Sequence, residues 1–411
     1  MSKTMLRTGL AIAIATTSTY GMASGFALNE QSISGMGLSF AGRSSAADDA
    51  STVFGNPAGM ARLKRDEVSL GVAAIHAKTD ISNARGSATG TNDGDMVPDT
   101  GVPMGYYVKP LDDKVAFGIG IYVPFGLATD YESSFQGRYE AKKSFVQVVT
   151  VQPTLSYRFN EHFSVGFGPT FNRIDGELTS ALDNPLPGVA DGKVKIKGDD
   201  VAVGFNVGAL YEFSPQTRVG VTYRSRVKYE LEGNTQVNAG GVLAGLAGKY
   251  DASLDITTPE SVDMSFTHEI DDRWTVYAGS TWTRWSRLKE IRVENENAPG
   301  PLSAITEEQN WHDTWAHAVG LSYKVNPQWV LRTGLAFDQS PTNNTNRSPR
   351  IPSGDRTIFS LGAGWSPTDD MTIDVAYSYL KEEKVNVNQD TYSARYDNSA
   401  HGLGASLTYR F

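Results

Sequence analysis

The 411-residue chain contains no cysteine. Disulfide scaffolds and thiol chemistry are therefore excluded. Long apolar runs are scarce as well. Beyond the first 25 residues nothing approaches the ~20 apolar residues of a membrane-spanning helix. Basic charge is in deficit, 37 Lys+Arg against 46 Asp+Glu for a formal net charge of −9, and no basic run stands out, so nucleic acid is not an expected partner. The histidines are His76, His162, His268, His312, His317 and His401, and none lies in a nucleophile or metal-ligand motif. A glycine-rich phosphate-binding loop is also missing. No enzyme activity, metal or cofactor is expected.

What is present begins with a leader. Lys3 and Arg7 precede an apolar stretch from Leu10 to Thr17, and Gly21-Met22-Ala23 offers small residues around a cleavage point. This pattern predicts a secretory signal peptide over residues 1–23, cut within two residues of Ala23. Residues 24–66 follow, rich in Gly, Ala and Ser, with neither strand-like alternation nor a run long enough for a substantial helix.

From Glu67 to Phe411 the chain alternates. Phe359, Leu361, Ala363 and Trp365 oppose Ser360, Gly362 and Gly364; Val203, Phe205, Val207, Ala209, Tyr211 and Phe213 oppose Gly204, Asn206 and Gly208. Period two with one apolar face marks a strand apolar on one side. Tight polar turns occur at Pro110–Lys114, Asn160–His162, Ser214–Gln216, Asp271–Arg273, Asn326–Gln328 and Pro367–Asp370. Long connections alternate with them, at about 83–99, 131–144, 184–199, 238–251, 296–308, 341–356 and 390–397. Six short and seven long connections join fourteen strands. A soluble sandwich has no reason to sort its loops by length. A transmembrane barrel does, with short periplasmic turns and long extracellular loops. Tyr157, Phe159, Phe163, Tyr211, Phe213, Trp274, Tyr323, Trp329 and Trp365 sit beside the short turns, as one aromatic girdle would. The expectation is an all-β, 14-stranded antiparallel transmembrane β-barrel over 67–411, monomeric, in a bacterial outer membrane among its lipid and lipopolysaccharide, with residues 24–66 as a plug in the lumen.

A barrel in hydrocarbon must pair every backbone group, which makes a weakness in one strand informative. Pro124 removes a ladder donor late in the third strand, and Gly126 has no side chain to pack. Either Pro124, Phe125 and Gly126 lie at a rim, or the wall opens there. Parity turns Arg224, Arg226 and Lys228 into the lumen, together with Arg332 and Asp338. Such charges pair with one another or with the plug, or else hold an anionic head group, to which an arginine fork is suited. Gly240–Ala247 is an apolar tract inside a long loop, either a capture surface or a packed loop helix.

Several segments resemble the FadL/TodX family of outer-membrane transporters for long-chain fatty acids and other hydrophobic compounds. They are Phe26–Gln31, Gly35-x-Gly37, Asp48-Asp49-Ala50 and Asn56-Pro57-Ala58 in the plug. In the barrel they are Gly126–Thr129, Thr222–Ser225 with Val227-Lys228, Trp285-Ser286, Arg332–Asp338, Ser340-Pro341, Asn346-Arg347, Ile351-Pro352 and Asp355-Arg356. The resemblance implies a lumenal binding site, a hatch carrying the Asn56-Pro57-Ala58 motif near a gap in the third strand, and sideways release of cargo into the membrane. It also implies basic residues near a fatty-acid carboxylate, and here the sequence departs: His312 stands where a lysine is expected and Ala316 where an arginine could follow. Arg173 could supply a cation, although strict alternation turns it towards lipid. A neutral aromatic or alkane cargo therefore stays open beside a fatty acid. A diffusion porin and an outer-membrane enzyme are the remaining alternatives. The terminal Phe411 resembles the signal by which the barrel assembly machinery recognises its clients.

Overall fold

The computed structural model describes residues 25–411; the expected signal peptide lies outside the described residues. No helix among the described residues is long and apolar enough to cross a membrane. Nineteen strand segments make one sheet instead. They are β1 (Glu67–Gly86), β2 (Thr100–Pro110), β3 (Val115–Asp130), β4 (Lys143–Arg158), β5 (Phe163–Leu182), β6 (Gly192–Ser214) and β7 (Thr217–Arg224). Then come β8 (Val227–Asn238), β9 (Gly248–Thr258), β10 (Ser261–Glu269), β11 (Trp274–Thr283), β12 (Glu290–Asn295) and β13 (Ala304–Glu308). The last are β14 (Thr314–Asn326), β15 (Trp329–Asp338), β16 (Arg356–Thr368), β17 (Met371–Glu382), β18 (Val385–Asn388) and β19 (Tyr392–Arg410). β7/β8, β9/β10, β11/β12, β13/β14 and β17/β18 are each one interrupted stave, so the barrel has fourteen antiparallel staves. β1 pairs with β19 from Glu67↔Arg410 to Gly86↔Tyr392, which closes the tube and leaves no terminal edge.

Burial is inverted relative to a soluble protein. Val203, Phe359 and Leu403 are exposed at 59%, 45% and 64%, on the face that meets lipid. The inner face carries Ser, Thr, Gly and charged side chains, and these pack on residues 25–66. The six short turns occupy the expected places. Several long connections are shorter than expected, because strand pairing continues beyond the membrane. β5 and β6 stay in register up to Leu182↔Gly192, and β18 and β19 form a hairpin across 385–396. A hairpin satisfies its own backbone groups, so it can extend into water as readily as through lipid.

The plug contains only short helical turns, Ile33–Met36, Thr52–Gly55 and Pro57–Arg62. Helices this short do not hold themselves in water. The wall holds them instead, through close approach at glycines. A side chain at Gly220 would fall 1.7 Å from the Ser44 carbonyl oxygen, and one at Gly208 would fall 1.9 Å from Asn56 Oδ1. Arg218 reinforces the seat by donating to the carbonyls of Ser45 (2.7 Å) and Ala46 (3.0 Å).

Candidate functional site

The weakness in the third stave takes a definite form. β2 pairs with β3 only from Gly105↔Ile121 to Pro110↔Ala116, so the β2-side edge of β3 is bare of its neighbouring strand from Tyr122 onwards. On the opposite edge the β3–β4 register shifts between Tyr122 and Phe125. Pro124 cannot donate to a ladder, and the bulge absorbs the mismatch.

The plug takes the vacated edge. Leu28 N donates to Pro124 O at 2.8 Å, and Gly126 N donates to Phe26 O at 2.8 Å, which makes Ala27–Phe125 an antiparallel bridge. Gln31 ties both lips together: its side-chain amide donates to Val123 O (2.6 Å), and its carbonyl accepts from the Tyr106 hydroxyl of β2 (2.8 Å). The N-terminal end of the plug is thus a short substitute strand.

Phe26 inserts into an aromatic cage, with ring centroids 5.0 Å from Trp285, 5.6 Å from Phe125 and 6.1 Å from Trp311. Gly25, at φ +63°, leads into the cage in the left-handed region that glycine adopts without strain. Val146, Ile256 and Ile291 pack on the cage and also line an apolar chamber with Ile174, Leu231 and Leu254. That chamber shares Leu178, Ile196, Ile291 and Val293 with a cavity of about 280 Å³ nearer the extracellular loops. Leu246, from the expected apolar tract, lines this outer cavity, although most of that tract is solvent-exposed. Shared walls therefore connect an outer cavity, an apolar chamber, the aromatic cage and the gap in sequence.

Asn56, Pro57 and Ala58 anchor the plug at its other end. Asn56 is fully buried; its amide donates to Ser44 O (2.7 Å) and Ala209 O (2.9 Å), while Oδ1 accepts from Ala58 N (3.0 Å). Pro57 lies against Gly166 and Gly208 of β5 and β6. The motif therefore docks on β5–β7, while Phe26–Gln31 are the residues at the gap itself.

Among the expected head-group contacts, Arg224 and Arg332 point inward and both are engaged. Arg224 lies 4.3 Å from the Phe54 ring and donates to Phe54 O at 2.7 Å; Arg332 pairs with Asp374 at 2.6 Å. The other four are corrected by the structure. The stave breaks between Arg224 and Val227, and the extra residue flips the parity, so Val227, Tyr229 and Leu231 face in while Arg226 and Lys228 are exposed. Lys228 pairs with Asp255 (3.0 Å) and Glu230 (3.5 Å) on the outside. Arg173 keeps strict alternation on β5, faces outward and pairs with Asp175 at 2.9 Å. His312 is exposed, because Trp311 takes the inward position in the cage.

Arg218, on β7, was not singled out in the sequence, and neither were two further lumenal arginines, Arg43 and Arg350. Arg43 of the plug donates to Asn29 Oδ1 at 2.7 Å and stacks on Phe40 at 5.2 Å. Arg350 lines the outer cavity and pairs with Glu307 at 2.8 Å. Arg43 and Arg350 sit in irregular segments, where no parity argument reaches them.

Residues 14–411 match the family model described as outer membrane protein transport protein (OMPP1/FadL/TodX). The chain is 28% identical over 446 residues to the long-chain fatty acid transport protein of Escherichia coli O6:H1, covering 98% of each. Its fold is similar to the crystal structure of a Pseudomonas aeruginosa FadL homologue, with TM-score 0.87, 26% identity and coverage of 94% of this chain and 100% of the other. It is also similar in fold to the Ralstonia pickettii toluene transporter TbuX, with TM-score 0.69, 19% identity and coverage of 91% and 98%.

Proposed function

The chain belongs to the OMPP1/FadL/TodX family of outer-membrane transport proteins, which are non-enzymatic channels for hydrophobic compounds; from that premise we propose that it takes up long-chain fatty acids and releases them sideways through the gap beside Pro124, Phe125 and Gly126. The observation that carries this reading is the Phe26–Leu28 segment, which closes the gap with main-chain hydrogen bonds and an aromatic side chain. Both are replaceable. An apolar chain entering the cage competes with Phe26 for Trp285, Phe125 and Trp311. Once Phe26 leaves, the segment loses its anchor on β3 and the gap opens onto lipid.

No energy source is needed. Moving an acyl chain from water into hydrocarbon gains roughly 0.8 kcal/mol per methylene, so the apolar chambers form a descending path. The likeness to a fatty acid transport protein along nearly the whole chain supports the cargo class. A second reading, a neutral aromatic or alkane cargo, draws on the outward positions of Arg173, Arg226, Lys228 and His312.

Mass spectrometry of hydrophobic molecules that co-purify in detergent decides between the two. A bound fatty acid upholds the first reading, an alkane or aromatic the second. A cage that takes up neither when challenged with both overturns the proposal.

A further inference from the structure

The bulge that turns Arg226 out of the lumen puts it on the lipid-facing wall, beside other cations. Tyr223, Val262, Trp282 and Trp315 are in register across β7, β10, β11 and β14, and they form an outward row with two tryptophans. A second outward aromatic pair, Trp274↔Tyr323, lies eight residues lower on β11. At ~3.3 Å per residue and a tilt of about 40° the two levels are roughly 20 Å apart, most of the ~25 Å apolar band of such a wall. The Tyr223–Trp315 row thus marks the extracellular interface, where aromatic rings meet head groups.

Just above that row, past the last register pairs Ser261↔Arg224 and Ser261↔Thr283, come Arg226 in the β7/β8 break and Arg284 beside Glu260, whose carbonyl accepts from Arg284 N at 3.0 Å, with Arg287 close by. Glu260 is shared by two guanidinium groups, Arg284 (3.2 Å) and Arg287. Arg284 remains 48% exposed, and Arg226 is exposed with no ion-pair partner among the described residues. Asp313, the other carboxylate nearby, accepts from Ser286 N at 3.1 Å. Glu260 is taken up by Arg284 and Arg287, and Glu230 and Asp255 by Lys228, so Arg226 stands at head-group height with its guanidinium free of an ion pair among the described residues. Below the cluster, on the same face, runs a shallow groove of about 640 Å³ between Met264, Phe266, Val319 and Phe337, floored by the small outward side chains of Ala278 and Ser280.

We propose that Arg226, Arg284 and the groove beneath them form a binding site for a phosphorylated glycolipid of the outer leaflet. A lipid phosphate bridges the two guanidinium groups, for which the arginine fork is suited, and one acyl chain lies along the groove. Membrane surrounds this face of an outer-membrane barrel, so the occupant is a lipid, and only its head group is left to specify. The arginine pair selects for phosphate. Glu260 fixes the geometry by holding Arg284 and Arg287 together. The break in the β7/β8 stave acquires a purpose, since it delivers Arg226 to this surface.

The test uses the full mature protein in detergent, with native mass spectrometry against diphosphoryl lipid A, its dephosphorylated form and phosphatidylglycerol. Wild type should bind diphosphoryl lipid A at least tenfold more tightly than either competitor. Arg226→Gln with Arg284→Gln should abolish that preference, whereas Arg226→Lys with Arg284→Lys, which keeps the charge but loses the fork, should keep only part of it. Ala278→Phe, which fills the groove and leaves the arginines intact, should weaken binding of all three lipids. Unchanged preference in the double glutamine variant overturns the site, as does equal binding of phosphatidylglycerol. Displacement by inorganic phosphate at equimolar concentration reduces it to a generic anion patch and also overturns it. All three substituted positions face outward, so fatty-acid binding in the lumen serves as the folding control.

Discussion

Leu28 of the plug donates its backbone N–H to the carbonyl of Pro124 in the wall, at 2.8 Å. The bond joins the part of the chain that alternates least to a stave that loses its neighbour β2 beyond Ile121, and each supplies what the other lacks. β3 has an unpaired edge there, and the Phe26–Leu28 segment has no sheet of its own.

The absence of cysteine makes a direct test of that bond clean. Ala27 and Phe125 form the bridge between the flanking hydrogen bonds, a non-hydrogen-bonded pair whose Cα atoms lie about 4.5 Å apart. Ala27→Cys with Phe125→Cys should oxidise readily to lock the gap. Fatty-acid uptake into cells should fall at least tenfold under oxidising conditions and recover on reduction. Uptake that ignores the redox state would place the exit elsewhere.

If cargo enters the cage by displacing Phe26, as proposed, Phe26→Ala should relieve competition. Aromatic contacts of this kind contribute ~0.5–1.5 kcal/mol each beyond area burial, and 1.4 kcal/mol is tenfold in affinity. Hydrophobic ligand binding should tighten about tenfold or more, read as quenching of Trp285 and Trp311 fluorescence. The same variant should admit bulky apolar antibiotics that wild-type cells exclude.

The alternation of β16, β17 and β19 was legible because side chains of opposite character occupy opposite faces of one strand. Pro124 and Gly126 were visible as weak points for equally local reasons. The fates of Arg226 and Lys228 were not, because one extra residue at the β7/β8 break reverses every position beyond it without altering the pattern on either side. The cage was hidden for a different reason: Phe26, Phe125, Trp285 and Trp311 come from four distant segments, and only barrel closure brings them together. The sequence marked Pro124 and Gly126 as a place where pairing loosens, with a rim or a gap both open, and carried no sign of the Leu28 that bonds to Pro124 there.

Pro124→Val with Gly126→Val restores a ladder donor and a packing side chain to β3. A side chain at Gly126 would meet the flexible Leu28 Cδ1 at 3.0 Å, which can move aside. Pairing with β2 can then extend upward, and uptake should drop severalfold while barrel stability holds or rises. Unchanged uptake would argue against lateral release at this stave.

At the anchored end, Asn56→Ala strips partners from the buried carbonyls of Ser44 and Ala209. Leaving such groups unsatisfied costs about 1–3 kcal/mol each, enough to unseat the plug without unfolding a barrel held by its own ladders. Planar-bilayer conductance should show brief large openings, and cells should become sensitive to hydrophilic antibiotics. Deleting residues 26–60 should make those openings permanent and abolish cargo selectivity, an outcome that a simple diffusion porin would not produce.

Arg332 separates structural from ligand-binding charge. Its pair with Asp374 is buried, with side-chain exposures of 11% and 4%. Removing one partner of such a pair is destabilising by about 3–5 kcal/mol, whereas replacing both with apolar groups is often neutral. Arg332→Met alone should lower the temperature at which the barrel loses its heat-modifiable electrophoretic mobility. Adding Asp374→Leu should restore that temperature. If Arg332 serves only the wall, the double variant should also bind fatty acid with wild-type affinity. Restored stability with lost binding would instead make Arg332 the head-group anchor, and the Asp374 pair would then be its resting state.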